Sequence, residues 1–155
     1  MSDIEAGGQV STGTPAKQEK KLRLLITDDS RLLRKKLREE LENLGCEVLE
    51  ASNGREAIEI DMAEELDGVI LDIVMPEVGG IEALQVIREV SPDVPIVMLS
   101  SAGTPQKSMQ TLKMGAIDFI QKPYTKEQIV RAVKAIRRAR EKNLKKAAEA
   151  SGANS

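Results

Sequence analysis

Residues 24–33 read LLITDDSRLL, four apolar or β-branched residues running directly into two adjacent carboxylates, Asp28 and Asp29. An apolar run without alternation marks a strand covered on both faces, as in a parallel sheet. Carboxylates at its exit fall where ligands of open parallel sheets bind, beyond the carboxyl ends of the strands. Working outward, LRLLI at 22–26 is joined by EVLEA at 47–51, GVIL at 68–71, PIVML at 95–99 and DFI at 118–120. Five strands are expected.

Helical periodicity fills the intervals. Leu33, Leu37, Leu41 and Leu44 form one stripe over 30–44, with Ser30 as N-cap and Gly45 as stop. Further helices are expected over Arg55–Leu66, Ile81–Val90 and Pro105–Met114. A fifth opens with TKEQ, where Thr125 and Gln128 can form a capping box and Ile129, Val133 and Ile136 supply the buried stripe. Alternating strands and helices imply an α/β fold, a doubly wound parallel sheet of five strands with five helices on its two faces. Right-handed crossovers leave few topologies.

The strand exits hold the chemistry. Strand one ends at Asp28 and Asp29, strand three at Asp72, strand four at Ser100 and Ser101, and strand five at Lys122 followed by Pro123. If the strand order is 2-1-3-4-5, strands one and three flank the switch point and three aspartates share one crevice. Three carboxylates in one pocket repel one another, which raises their pKa values until a cation relieves them. All-oxygen ligation suits Mg²⁺, or Mn²⁺ in its place, better than zinc.

Composition narrows the remaining classes. The chain of 155 residues has 41% hydrophobic content, enough for one domain with a core. Its 23 Lys and Arg against 25 Asp and Glu give a net charge of −2, with no general reason to expect nucleic acid or an anionic membrane as partner. Cys46 is the only cysteine and histidine is absent, which excludes a disulfide framework, a cysteine zinc cluster and imidazole catalysis. No run approaches the ~20 apolar residues of a membrane span, and MSDIEAGGQV is unlike a signal peptide, so a cytoplasmic protein is expected. Residues 1–20 read as a flexible tail, 21–140 as the domain, and 141–155 as a helical extension ending in a frayed tail.

The segments ITDDS, VILDIVMPEVGG, VPIVMLSSAG and GAIDFIQKPYT, in this order and at these intervals, resemble the receiver domain of bacterial two-component response regulators. The similarity covers residues 21 to 140 and is nearest to the single-domain, CheY-like chemotaxis type, which has the flavodoxin-like strand order 2-1-3-4-5. The resemblance implies that Asp72 accepts a phosphoryl group from a sensor histidine kinase, a phosphotransfer protein or a small donor such as acetyl phosphate. It implies Mg²⁺ held by Asp28, Asp29, Asp72 and the backbone carbonyl of Val74. Lys122 and Ser100 would stabilise the phosphoryl group, and Ser100 with Phe119 would form the switch that alters the face of helix four, strand five and helix five toward a target protein. The Lys122–Pro123 bond is cis in the family. Such a domain is not a turnover enzyme; it catalyses only its own phosphorylation and dephosphorylation.

Several positions depart from the commonest family pattern: Gly79 stands where an acid or Asn is frequent, Ser100 replaces Thr, and Thr27 replaces an aliphatic residue. Val74 and Ala102 are apolar where the hydrolytic water would pass, so slow self-dephosphorylation is expected. The alternative reading is a pseudo-receiver adaptor with the fold and no phosphorylation cycle, and Phe119 is equally readable as a core residue. No helix-turn-helix is legible, so output through a protein contact is expected. Residues 131–146 carry Arg131, Lys134, Arg137, Arg138, Arg140, Lys142, Lys145 and Lys146 against Glu141, a solvated basic face or a dock for an acidic surface.

Overall fold

In a computed structural model, the protein is described over residues 21–101 and 103–153; the expected tail at 1–20, Ala102 and the last two residues lie outside the described residues. Five strands alternate with five helices: β1 Arg23–Thr27, α1 Arg31–Asn43, β2 Glu47–Ala51, α2 Gly54–Ala63, β3 Gly68–Asp72, α3 Gly80–Val90, β4 Ile96–Ser100, α4 Pro105–Lys113, β5 Asp118–Gln121 and α5 Lys126–Ala153. The sheet order is β2-β1-β3-β4-β5, and every pairing is parallel. This is the expected order 2-1-3-4-5. It puts β1 and β3 side by side, with their connections leaving toward opposite faces.

Alternation along the strands divides the core in two. Leu24, Ile26, Ile70, Val97 and Leu99 face α1 and α5, where Leu37, Leu41, Ile129, Val133 and Ile136 complete one apolar cluster. Leu25, Val69, Leu71, Ile96 and Met98 face the other side, against Ala57 of α2 and Ala83, Leu84 and Ile87 of α3. Both faces are covered, which is why the strands carry apolar residues without alternation.

The helix boundaries follow their caps. The Ser30 side chain accepts from the Leu33 N–H, and Gly45 at φ 85° occupies the left-handed conformation that ends α1. At the start of α5, Gln128 N–H donates to Thr125 Oγ1 at 3.1 Å and Thr125 N–H to Gln128 Oε1 at 2.9 Å, the reciprocal capping box. The second helix corrects the expected boundary, ending at Ala63 and not Leu66. Leu66 is needed in the core, and Asp67 must lie beside β1, where its N–H donates to the Arg23 carbonyl and its carboxylate accepts the Arg23 N–H. A helix continuing to Leu66 would carry both away.

The last helix is the longest element. Its 28 residues span ~42 Å, against ~17 Å for a five-residue strand. It stays tied to the body through Arg140, 3.2 Å from Asp67, and Asn143, whose side-chain N–H donates to the Asp93 carbonyl. Among the described residues, no helix is long and apolar enough to cross a membrane.

Candidate functional site

Register brings the first two acids level. Thr27 pairs with Leu71, so the residues that follow, Asp28 and Asp72, exit the sheet side by side. Asp28 is fully buried, Asp72 almost so, and Asp29 is exposed at the mouth; one carboxylate oxygen from each lies within 4.8 Å of the others. Lys122 arrives from the far side of β4. Its N–H donates to the Ser100 carbonyl at 2.7 Å, and the cis Lys122–Pro123 peptide follows it. The ammonium reaches back to sit 2.6 Å from Asp72 Oδ2 and 2.9 Å from Asp28 Oδ2.

The remaining lone pairs are unequally used. Asp28 Oδ1 accepts the Ser30 N–H at 2.9 Å, an Asx-type turn that also sets the start of α1. Asp28 Oδ2 is paired with Lys122 by charge but lacks hydrogen-bond geometry, and it is a buried oxygen without a hydrogen-bond donor. Asp72 Oδ1 accepts only a long bond, 3.3 Å, from the Val74 N–H. The pocket therefore holds acceptor capacity that the protein's own donors leave unfilled.

Burial pushes the Asp72 carboxyl up to about 6; the Lys122 hydrogen bond and charge oppose this, and the Asp28 charge adds to it. Lys122 moves the other way. Burial would lower its pKa, but the hydrogen bond to Asp72 and the charges of both Asp72 and Asp28 raise it above the usual lysine value. The asymmetry is physical: one cation faces two anions, whereas Asp72 faces one cation and one anion. Tyr124, partly buried near the same acids, is pushed up to about 12 first by desolvation and then by the charges of Asp28 and Asp72.

Of the residues expected from sequence, the fold thus gathers Asp28, Asp29, Asp72 and Lys122. Ser100, buried at the end of β4, stands one residue beyond Leu99, the register partner of Asp72. Val74 follows Asp72 by two, with its side chain half exposed at 52%. Phe119 pairs in register with Met98 and packs, half-buried, against the apolar cluster on the α2 and α3 side. Ala102 lies outside the described residues.

Other supports were not foreseen. Arg34 Nη1 donates to the Asp28 carbonyl at 2.6 Å while Arg34 Nε binds Glu50 at 2.8 Å, clamping the strand exit. Tyr124 donates its hydroxyl to the Leu33 carbonyl at 3.0 Å, fastening the loop after Lys122 to α1. Both act across long sequence separation, where no periodicity signals them. Glu77, immediately after Pro76, adopts φ 62°, in the left-handed region. Gly80 lets α3 start against the backbone of Asp72, since a Cβ there would lie 2.0 Å from the Asp72 carbonyl oxygen.

With this geometry in view, the comparisons decide the family. The response regulator receiver domain matches residues 24–134. The chain belongs to that family. It is 37% identical over 115 residues to the chemotaxis protein CheY of Thermotoga maritima, covering 74% of this chain and 96% of that protein. It is 43% identical over 105 residues to the protein-glutamate methylesterase/protein-glutamine glutaminase of Archaeoglobus fulgidus, covering 66% of this chain and 30% of the relative. Response regulator MprA of Mycolicibacterium vanbaalenii is 32% identical, and the chain spans about half of its length, 51%. Among solved structures, a CheY-like receiver domain protein from Methanospirillum hungatei superposes with a TM-score of 0.74 at 25% identity, covering 79% of this chain and 98% of the other.

Receiver domains are signalling proteins, not turnover enzymes, and they work with histidine kinases and downstream effectors. They bind Mg²⁺ through acidic residues. The set here fits such an ion on its own chemistry: the donors are all oxygen, two of the three acids are buried, and Asp28 Oδ2 lacks a hydrogen-bond donor. Asp28, Asp29 and Asp72 would hold it.

Proposed function

We propose that this receiver domain is a single-domain response regulator whose Asp72 accepts a phosphoryl group and thereby switches protein contacts, in chemotaxis or a related relay. The observation that carries the reading is the Lys122 ammonium 2.6 Å from Asp72 Oδ2, at the edge of three converging carboxylates. An Asp72 carboxylate oxygen attacks phosphorus, the bond from phosphorus to the donor's nitrogen or oxygen breaks, and the leaving group departs with the electron pair. Lys122 supplies a fixed positive charge beside the new phosphoryl oxygens. Asp28, Asp29, Asp72 and the Val74 carbonyl would hold Mg²⁺, which would supply further neutralisation of negative charge at the site.

Two features of the chain support the pairing of roles. A carboxyl at about 6 is largely ionised at neutral pH, so Asp72 is available as a nucleophile. Asp28 is held by the Ser30 N–H and by Lys122, leaving Asp72 as the acid at the strand tip with its Oδ1 lightly used. After transfer, roughly −1.5 to −2 charge at one point biases a two-state element. The Ser100 hydroxyl turning toward the phosphoryl group, with the Phe119 ring filling inward, is that element, and the face of α4, β5 and α5 presents the change to the target.

Acetyl phosphate tests the reading. Intact-mass spectrometry is expected to show one added phosphoryl group in Mg²⁺ and none in excess chelator, with no addition to Asp72→Asn. Equal labelling of that variant, or a protein inert to the donor, would leave the phosphorylation-independent adaptor as the better description.

A further inference from the structure

Arg34 stands beside the acid cluster without a part in the phosphoacceptor chemistry. It lies near the start of α1, its side chain is only 14% exposed, and its guanidinium forks. Nη1 donates to the Asp28 carbonyl at 2.6 Å and Nε to Glu50 Oε1 at 2.8 Å. Glu50 is on β2, one residue before Ala51, whose carbonyl accepts the Asp28 N–H at 3.2 Å. The backbone of Asp28 is therefore tied to β2 twice, directly through its N–H and through Arg34 at its carbonyl.

The pinned carbonyl belongs to the planar peptide that joins Asp28 to Asp29, so it fixes ψ of Asp28 and with it the direction in which Asp29 leaves the sheet. Asp29 has no support of its own. Its exposed carboxylate makes no hydrogen bond or ion pair among the described residues, whereas Asp28 is held by Ser30 and Lys122, and Asp72 by Val74 and Lys122. By charge alone Arg34 is a liability, since a cation beside three acids competes with a divalent ion for them. Its forked guanidinium instead suits a geometric task that the single ammonium of a lysine does not perform, bridging a carbonyl and a carboxylate at once.

We propose that Arg34 is a positioning residue that sets the ion preference of the acid cluster, holding Asp29 in the narrow geometry that Mg²⁺ demands and Ca²⁺ does not. The proposal rests on the reading that Asp28, Asp29 and Asp72 hold Mg²⁺. Mg²⁺ takes a near-ideal octahedron of oxygens at ~2.0–2.1 Å, while Ca²⁺ accepts irregular sets at ~2.3–2.6 Å. An acid free to swing therefore costs Mg²⁺ binding more than Ca²⁺ binding. Charge alone predicts the opposite sign and no preference: deleting a cation beside the acids strengthens the binding of both ions alike.

Isothermal titration of the full-length chain with magnesium chloride and, separately, calcium chloride decides between geometry and charge. In Arg34→Met, Mg²⁺ affinity is expected to fall about tenfold and Ca²⁺ affinity by less than about threefold. Arg38→Met is the control. It removes an equal charge and the other arginine of Glu50, 2.6 Å from Oε2, but contacts none of the three aspartates, and it is expected to leave both affinities within about twofold. Circular dichroism and the thermal midpoint in chelator show whether each variant folds; a merely structural role lowers the midpoint and leaves the ratio of the two affinities at its native value. The proposal is overturned if that ratio is unchanged in Arg34→Met, if both affinities rise, or if Arg38→Met shifts the ratio as far. A native chain that binds neither ion overturns the Mg²⁺ reading too, whereas native binding that Asp28→Asn abolishes, with an unchanged ratio in Arg34→Met, overturns this proposal alone.

Discussion

Asp72 concentrates the electrostatics of the molecule in one carboxyl. Because its folded pKa is raised to about 6 from the ordinary 3.8, stability from this group is present below pH ~4 and is lost as pH rises through 6. Ionised Asp72 is thus destabilising in metal-free protein at neutral pH. Protons also compete with a cation for it, so Mg²⁺ affinity is expected to be flat above pH 7 and to fall as pH drops through 6. Isothermal titration at pH 5, 6, 7 and 8 reads this directly, and an affinity unchanged at pH 5 would contradict it. Glu77 is strained in a different way. Its φ of 62° is costly for a residue with a Cβ, so Glu77→Gly is expected to stabilise by about 1 kcal/mol, partly offset by the freer unfolded chain. A lower thermal midpoint for that variant would show that the side chain contributes more than its backbone costs.

At the scale of elements, the apolar runs and helix periods were enough to place ten elements within a few residues. They sufficed because both faces of a parallel sheet must be covered, so burial writes itself into every strand. The Ser30 and Thr125 caps were legible for the same kind of reason, a local hydrogen bond between neighbours in sequence. What the sequence hid was non-local. The Arg34 clamp reaches Glu50, 16 residues away, and the Tyr124 anchor reaches Leu33, 91 residues away, and neither leaves a periodic trace. The end of α2 was hidden too, since Asp67 is drawn to β1 and the helix is cut short there. Gly80 exposes how closely α3 abuts the site. Gly80→Ala would set a Cβ 2.0 Å from the Asp72 carbonyl oxygen and 2.7 Å from Ile73 Cα, so it is expected to cost about 3 kcal/mol and to weaken Mg²⁺ binding. Chemical denaturation checks the first and titration the second; a neutral variant would mean that α3 moves freely relative to β3.

For the whole molecule, the fold places a cluster of acids at the carboxyl end of the sheet. A cation that binds only the folded chain stabilises it by mass action, by ~2.7 kcal/mol at a hundredfold excess over its dissociation constant. The thermal midpoint is therefore expected to rise with Mg²⁺ in the native chain and to rise far less in Asp28→Asn or Asp72→Asn. Equal shifts in all three would place the ion elsewhere. The half-exposed Val74 side chain next to the site offers no group to orient water, so the phosphorylated chain is expected to lose its label slowly once the donor is removed. The most direct measurement reduces the acetyl phosphate-treated protein with borohydride, which turns an aspartyl phosphate into homoserine, and maps the product by peptide mass spectrometry. Homoserine at position 72 alone, dependent on Mg²⁺ and absent from Lys122→Met at matched times, is the predicted result. Homoserine at 28 or 29, or at no position, would contradict the account.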